Sequence, residues 1–198
     1  MTREEGGKGG SSSRCEEAAC GTPDMAGVAE LACRIRDIPD FPKKGVLFKD
    51  ITTLLKDARA FVRAIDLLAE PFLGRHVDVV VGMESRGFIF GAPLAYKLGA
   101  GFVPARKPGK LPAECIRVEY ALEYGSAALE IHKDAIQPGQ LVLITDDLLA
   151  TGGTVLATIE LVKRLGGEVV GLAFLVELLF LGGRERLSGQ IIHSLISY

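Results

Sequence analysis

Two adjacent carboxylates, Asp146 and Asp147, stand just ahead of the glycine- and hydroxyl-rich step Ala150-Thr151-Gly152-Gly153-Thr154. Neighbouring carboxylates accept hydrogen bonds from vicinal hydroxyls, and a ribose ring offers such a pair. Glycines between threonines at the start of a helix leave backbone N–H groups free to surround an anion, and phosphate is its natural occupant. An anionic pair beside an anion nest repels a bound anion unless a hydroxylated, partly cationic group or a metal ion lies between them. A ribose 5-phosphate whose C1 becomes positively charged during a reaction meets that constraint. Taken singly, Asp-Asp reads as a solvated loop and Gly-Gly as a turn; their order in one string carries the functional reading. The string is neither of the commoner nucleotide loops, since no Lys follows the glycines and no GxGxxG follows a strand.

These groups need a scaffold. Residues 141–145, LVLIT, form a short apolar run of the kind that makes a strand buried on both faces, as in parallel sheets. That places the carboxylates at its carboxyl end, the side on which open α/β sheets bind ligands. Val155, Ile159, Val162 and Leu165 predict the helix that follows. Upstream, VDVVVG (77–82), a helix opening after Ser85-Arg86-Gly87 and reaching Leu98, and GFVPA (101–105) make a strand–helix–strand unit, hence a parallel sheet with a right-handed crossover. Residues 167–178 and 190–198 read as further buried strands. Segments 119–123 and 128–132 read as a hairpin through Gly125, and the Lys-, Arg-, Pro- and Gly-rich 106–118 as a mobile functional loop. Nearer the start, Val28, Leu31, Ala32 and Ile35 predict a short helix ended before Pro39 and Pro42, which launch an extended loop. Asp57 is placed to cap a helix whose inner face carries Phe61, Ile65, Leu68 and Phe72.

Composition bounds the rest. A chain of 198 residues suits one sizeable core, so residues 26–198 read as one domain, preceded over 1–25 by a polar extension expected to be disordered. With 24% charged residues and a formal net charge of −2, neither a nucleic-acid-binding nor a membrane-steering surface is indicated, and attraction for a polyanion must be local. No apolar stretch approaches membrane-spanning length and no secretory core is present, which leads us to expect a cytoplasmic protein. Cys15, Cys20, Cys33 and Cys115 lack paired metal-ligand spacing and read as free thiols, while His76, His132 and His193 are scattered and read as structural or surface groups.

A second anion position lies at Gly82–Gly87, where Glu84 and Ser85 bracket a strand-to-helix turn and Arg86 adds charge. Arg106, Lys107 and Lys110 concentrate positive charge in the loop beyond. An isolated run of this kind is usually a solvated face. Three cations on a closing lid would neutralise an anionic ligand and exclude water.

The string LITDDLLATGGT (143–154) closely resembles the phosphoribosyl pyrophosphate (PRPP) signature of the type I phosphoribosyltransferases. Over roughly residues 30–198 the blocks IRDIPDFPKKGVLFKDIT (35–52), GMESRGFIFG (82–91), RKPGKLP (106–112), EYALEYG (119–125) and LEIHKDAI (129–136) narrow the resemblance to the adenine-specific members. The resemblance implies an α/β fold of the type I phosphoribosyltransferase kind: a parallel sheet flanked by helices, with a small hood built from the N-terminal segment and the strands near 119–132. It implies conversion of adenine and PRPP to AMP and pyrophosphate, with Mg²⁺ bound alongside PRPP and held mostly by substrate oxygens and water rather than by protein ligands. By the same resemblance Asp146, Asp147, Ala150, Thr151, Gly152, Gly153 and Thr154 hold the ribose and 5-phosphate, and Glu84, Ser85, Arg86, Arg106, Lys107 and Lys110 the pyrophosphate. A cis peptide would fall between Glu84 and Ser85, and Arg106 would act across a homodimer interface. Glu123 matches the position that handles a proton at the adenine ring, and Tyr124 a lid partner near the transition state. Backbone at Leu47 and Lys49 would read the base while Phe48 stacks on it. Two departures stand out: Thr145 where an aliphatic residue is usual, and Lys49 where relatives commonly carry Arg. Two alternatives stay open, transfer to another base and a non-catalytic PRPP-sensing regulator, because the PRPP signature is shared.

Overall fold

Apolar segments that recur every strand–helix interval here build an α/β sheet, seen in a computed structural model that describes residues 25–121 and 126–198. The chain enters through α1 (Met25–Ala32), whose Leu31 is buried. The helix starts at Met25, one residue inside the expected polar extension, and stops short of Ile35, which still packs on the core. Residues 1–24, for which disorder is expected, lie outside the described residues. An extended ribbon follows rather than a loop: β1 (Arg36–Pro39) pairs antiparallel with β2 (Leu47–Asp50) in the register Ile38 to Phe48. Arg36 closes it, its Nε lying 3.1 Å from an Asp50 carboxylate oxygen. A cross-strand ion pair leaves no periodicity in a sequence, so the prolines alone make this stretch read as loop.

The short α2 (Thr52–Leu55) leads to α3 (Ala58–Ala69), capped as expected by Asp57, whose side chain accepts from the N–H groups of Arg59 and Ala60. Then come β3 (Val79–Met83), α4 (Gly87–Leu98), β4 (Gly101–Ala105), the hairpin β5 (Cys115–Ala121) and β6 (Ser126–His132), β7 (Leu141–Leu149), α5 (Gly153–Arg164), β8 (Glu168–Glu177), α6 (Gly183–Arg186) and β9 (Ile192–Ser197). The main sheet runs β4-β3-β7-β8-β9 with every pair parallel. One face packs Val80, Leu143, Ala173 and Leu175 against α1, α3 and α4. The opposite face packs Val81, Ile144, Leu172 and Phe174 against α5 and against Val118, Leu129 and Ile131 of the hairpin. None of the helices among the described residues is long and apolar enough to cross a membrane.

Two boundaries differ from the sequence reading and both bear on the site. β5 begins at Cys115, so the end of the expected mobile loop is strand; Ile116, Val118 and Tyr120 alternate toward the core opposite Ile131 and Leu129, and burial of that face fixes the register. β7 does not stop at Thr145. It runs through Asp146 and Asp147 to Leu149, because β8 extends equally far and pairs Asp146 with Phe174 and Leu149 with Glu177.

Candidate active site

At the carboxyl edge of this sheet, three adjacent strands each deliver a loop. β3 ends in Glu84-Ser85-Arg86 before α4, β7 carries the two aspartates and the Ala150–Thr154 turn before α5, and β4 passes directly into Arg106. The first two loops touch. A Cβ on Gly87, the first residue of α4, would fall 2.9 Å from Asp146 Oδ1 and 3.0 Å from the Thr145 carbonyl, so only glycine lets α4 approach β7 this closely.

Asp147 is buried, with its Oδ2 3.0 Å from Arg86 Nε, and its own N–H donates to Asp146 Oδ1 at 2.8 Å. Burial, then the charge of Asp147, pushes the Asp146 carboxyl well above the usual carboxylate range. Burial also raises Asp147, against the opposing pull of Arg86. The pair is therefore an electrostatically loaded spot that a diol or a cation would relieve. Arg86 extends the constellation toward the ribbon, its guanidinium carbon 5.7 Å from the centre of the Phe48 ring. Phe48 is half-buried, with Phe41 edge-on at 5.1 Å. Leu47 is exposed. The Lys49 ammonium is occupied, bonded to Asp37 at 2.7 Å and 3.6 Å above the Tyr198 ring, so its replacement of Arg changes a side chain tied down away from Phe48.

The peptide between Glu84 and Ser85 is cis, at the position the resemblance gives it. Glu84 accepts from the Lys107 N–H at 3.0 Å and from Arg106 Nε at 3.1 Å. Partial burial works to raise its carboxyl, but those two donors and the charge of Lys110 outweigh it and leave it lowered. Arg106 also donates to the Lys110 carbonyl at 3.0 Å, and its backbone exchanges hydrogen bonds with Glu130. Arg106 is thus anchored on its own chain's Glu84, while Lys107 and Lys110 are exposed.

In the β7–α5 turn Gly152 takes φ +77°, a conformation glycine adopts without strain. Among the described residues, the N–H groups of Thr151, Gly152, Gly153, Thr154 and Val155 have no acceptor, while Leu156 N–H is the first to bond back, to the Gly152 carbonyl. Those donors sit at the positive end of α5, an anion cradle. Thr154 Oγ1 lies 3.4 Å from the Tyr120 hydroxyl on β5, which brings the hairpin to the rim of the cradle.

A phosphoribosyl transferase domain model matches residues 50–187. An adenine phosphoribosyltransferase of Acidobacterium capsulatum is 62% identical over 168 residues, which cover 85% of this chain and 93% of that protein. The chain belongs to the adenine phosphoribosyltransferases. The crystal structure of an adenine phosphoribosyltransferase from Thermoanaerobacter pseudethanolicus matches with a TM-score of 0.84 at 59% identity, over 86% of this chain and 99% of that one. That of a Saccharomyces cerevisiae adenine phosphoribosyltransferase, complexed with an imino-altritol bisphosphate and adenine, matches with a TM-score of 0.81 at 42% identity, over 86% and 98%.

In this adenine phosphoribosyltransferase family member, the fold gathers Phe48, Arg86, Asp146, Asp147 and the 150–154 cradle at one end of the sheet, with Glu84 and Arg106 alongside. Glu123 and Tyr124 lie outside the described residues. Several contacting groups escape a sequence reading. Tyr120 reads as one alternating strand residue among others, and Phe88, 6.0 Å beneath the Arg106 guanidinium, as a core aromatic. Gly183 and Arg186 press on the back of the cradle; a Gly-Gly step followed by mixed charges, which reads as a turn, is their sole signal.

Proposed function

We propose that the protein transfers the 5-phosphoribosyl group of PRPP to N9 of adenine, releasing AMP and pyrophosphate. The observation that carries this is the continuous line from Phe48 through Arg86 to Asp147 and Asp146, ending beside the free N–H groups at the start of α5. An aromatic face for the base, a cation for the pyrophosphate, two diol acceptors for the ribose and a cradle for the 5-phosphate are thus gathered together, so that the ribose can lie between base and pyrophosphate.

In this reading the C1–oxygen bond to pyrophosphate breaks as the C1–N9 bond forms on the opposite face, and C1 passes through an oxocarbenium-like state. Asp146 and Asp147 accept from the ribose hydroxyls and lie close enough for their charge to favour the cationic ring. Arg86, paired with Asp147 in this structure, exchanges that partner for pyrophosphate oxygens when PRPP binds, which frees Asp147 for the sugar. Arg106, Lys107 and Lys110 neutralise the departing pyrophosphate and exclude water from C1. Phe48 stacks on adenine with the backbone of Leu47 and Lys49 reading its edge, Glu123 takes the N9 proton, and Tyr124 closes over the site.

Mg²⁺ completes the substrate. The described residues hold no group of three or more ligating side chains, which accords with an ion held mostly by PRPP oxygens and water, and the adjacent carboxylates Asp146 and Asp147 would be the side chains able to share it. Bound there, the ion would offset pyrophosphate charge. The active form is proposed to be a cytoplasmic homodimer in which Arg106 acts across the interface, on the pyrophosphate of the neighbouring site. Mixing Arg106→Ala with Asp147→Ala subunits tests this, since one site of each heterodimer then carries neither defect. Activity should rise above both parents; exchange confirmed by native mass spectrometry with no recovery would confine Arg106 to its own chain. The reaction itself is tested by following AMP and pyrophosphate formation from adenine and PRPP, with and without a Mg²⁺ chelator. Equimolar products that vanish on chelation are expected, and absence of AMP with Mg²⁺ present would overturn the proposal.

A further inference from the structure

Against the Ala150–Thr154 loop lies α6. Its contact with the loop is backbone on backbone: a Cβ on Gly183 would fall 2.1 Å from the Ala150 carbonyl oxygen, a distance no side chain tolerates. From the same helix, Arg186 Nη1 donates to the Thr151 carbonyl at 3.0 Å. Leu187, buried, comes up beneath Gly152. The helix is itself held in place, because Arg184 forks onto the buried Glu177 at the end of β8 and reaches the Ile192 carbonyl and Ser194 on β9.

These contacts set the direction of two peptide planes. In a trans peptide the C=O and the N–H of the next residue point in opposite directions. Among the described residues, the cis peptides are those after Phe41 and Glu84, so both planes in question are trans. With the Ala150 carbonyl against Gly183, the Thr151 N–H faces the other way. With the Thr151 carbonyl drawn to Arg186, so does the Gly152 N–H. In an uninterrupted helix the Thr151 carbonyl would instead accept from Val155, whose N–H has no acceptor here.

We infer that Arg186 is a positioning residue for the 5-phosphate: by holding the Thr151 carbonyl on the rear of the loop, it keeps the Gly152 N–H turned into the cradle. The inference rests on the proposed reading that this cradle takes the 5-phosphate of PRPP and AMP. Gly152, having no Cβ, lets the preceding peptide rotate at little steric cost, and a rotated peptide would set a carbonyl dipole against the phosphate. Arg186 opposes that rotation with a charge-assisted hydrogen bond. It is exposed and its hydrogen bond goes to a backbone carbonyl, so its replacement removes no side chain of Ala150–Thr154.

The test compares Arg186→Met, which keeps bulk and loses every donor, with Arg186→Lys, which keeps a cationic donor. Loss of the charge-assisted bond should weaken AMP binding by calorimetry, and raise the KM for PRPP, roughly 5- to 50-fold in the Met variant. Affinity for pyrophosphate and KM for adenine should stay within about two-fold, since neither ligand carries the 5-phosphate, and Arg186→Lys should restore most of the AMP affinity. Arg186→Ala provides a second apolar variant, and thermal melting checks that each remains folded. Wild-type AMP affinity in both apolar variants, or equal losses for AMP and pyrophosphate, would overturn the inference. A wild-type protein that binds neither AMP nor PRPP would instead remove the function on which it rests.

Discussion

Asp147→Asn should move stability and binding in opposite directions. Asp147 is 4% exposed and its carboxyl is raised, first by burial and despite Arg86. A carboxyl raised in the folded state contributes stability that is present below its unfolded value of about 4 and is lost as pH rises through its folded value. At neutral pH the buried charge therefore opposes folding. Asparagine keeps the shape and an oxygen acceptor for Arg86 while removing that charge, so the melting temperature at pH 7 should rise. The gain should shrink as the pH falls and the wild-type carboxyl takes up its own proton. Binding shifts the opposite way: a charge-assisted acceptor for a ribose hydroxyl contributes about 1.5–3 kcal/mol, which converts to a roughly 10- to 150-fold loss of PRPP affinity. Scanning calorimetry at pH 4 and 7 with titration calorimetry against Mg-PRPP reads both. Unchanged PRPP affinity would remove the ribose assignment, and a melting temperature at pH 7 below wild type would refute the argument that the carboxylate is held at a cost to the fold.

Glu123→Gln should lower kcat by about 10²- to 10⁴-fold with PRPP affinity nearly constant, as for loss of a proton-transfer group; a variant at full rate would show that the proton goes elsewhere. At the ribbon, the Arg36 guanidinium, with help from Thr52, holds Asp50 well below the usual carboxylate range, at about 2. A depressed carboxyl contributes stability present above its unfolded value near 4 and lost as pH falls toward 2. Arg36→Met should therefore shift acid unfolding to higher pH and change stability at pH 2 little; a parallel loss at every pH would assign Arg36 a packing role instead.

Much of the site is legible in the sequence because its parts are local. The 141–154 string carries the aspartates, the glycines and the hydroxyls within one strand–turn–helix, and chain continuity alone brings them together. The parallel order of β3 and β4 follows from a single strand–helix–strand unit. What escapes is what depends on a distant partner. The carboxylates read as the end of β7, yet the strand continues to Leu149 because β8 is there to pair with it. The stretch launched by Pro39 and Pro42 reads as loop, and the strand Arg36–Pro39 just ahead of it goes unread, because its strand character comes from pairing with β2. Arg186 is an exposed cation whose role lies in one bond to a backbone carbonyl from a neighbouring turn, and no periodicity or composition marks such a bond.

The base and the reaction stand or fall together, and one steady-state comparison tests both: kcat/KM with saturating Mg-PRPP for adenine, guanine, xanthine and orotate, with nucleotide and pyrophosphate quantified. Adenine should give AMP and pyrophosphate in equal amounts. Rates for the other three bases should be lower by at least roughly 10²-fold, because a base with a mismatched hydrogen-bonding edge leaves buried polar groups at the reading strand unpaired. Preferential turnover of another base, or tight PRPP binding with no nucleotide formed from any of the four, would be incompatible with phosphoribosyl transfer to adenine at this site.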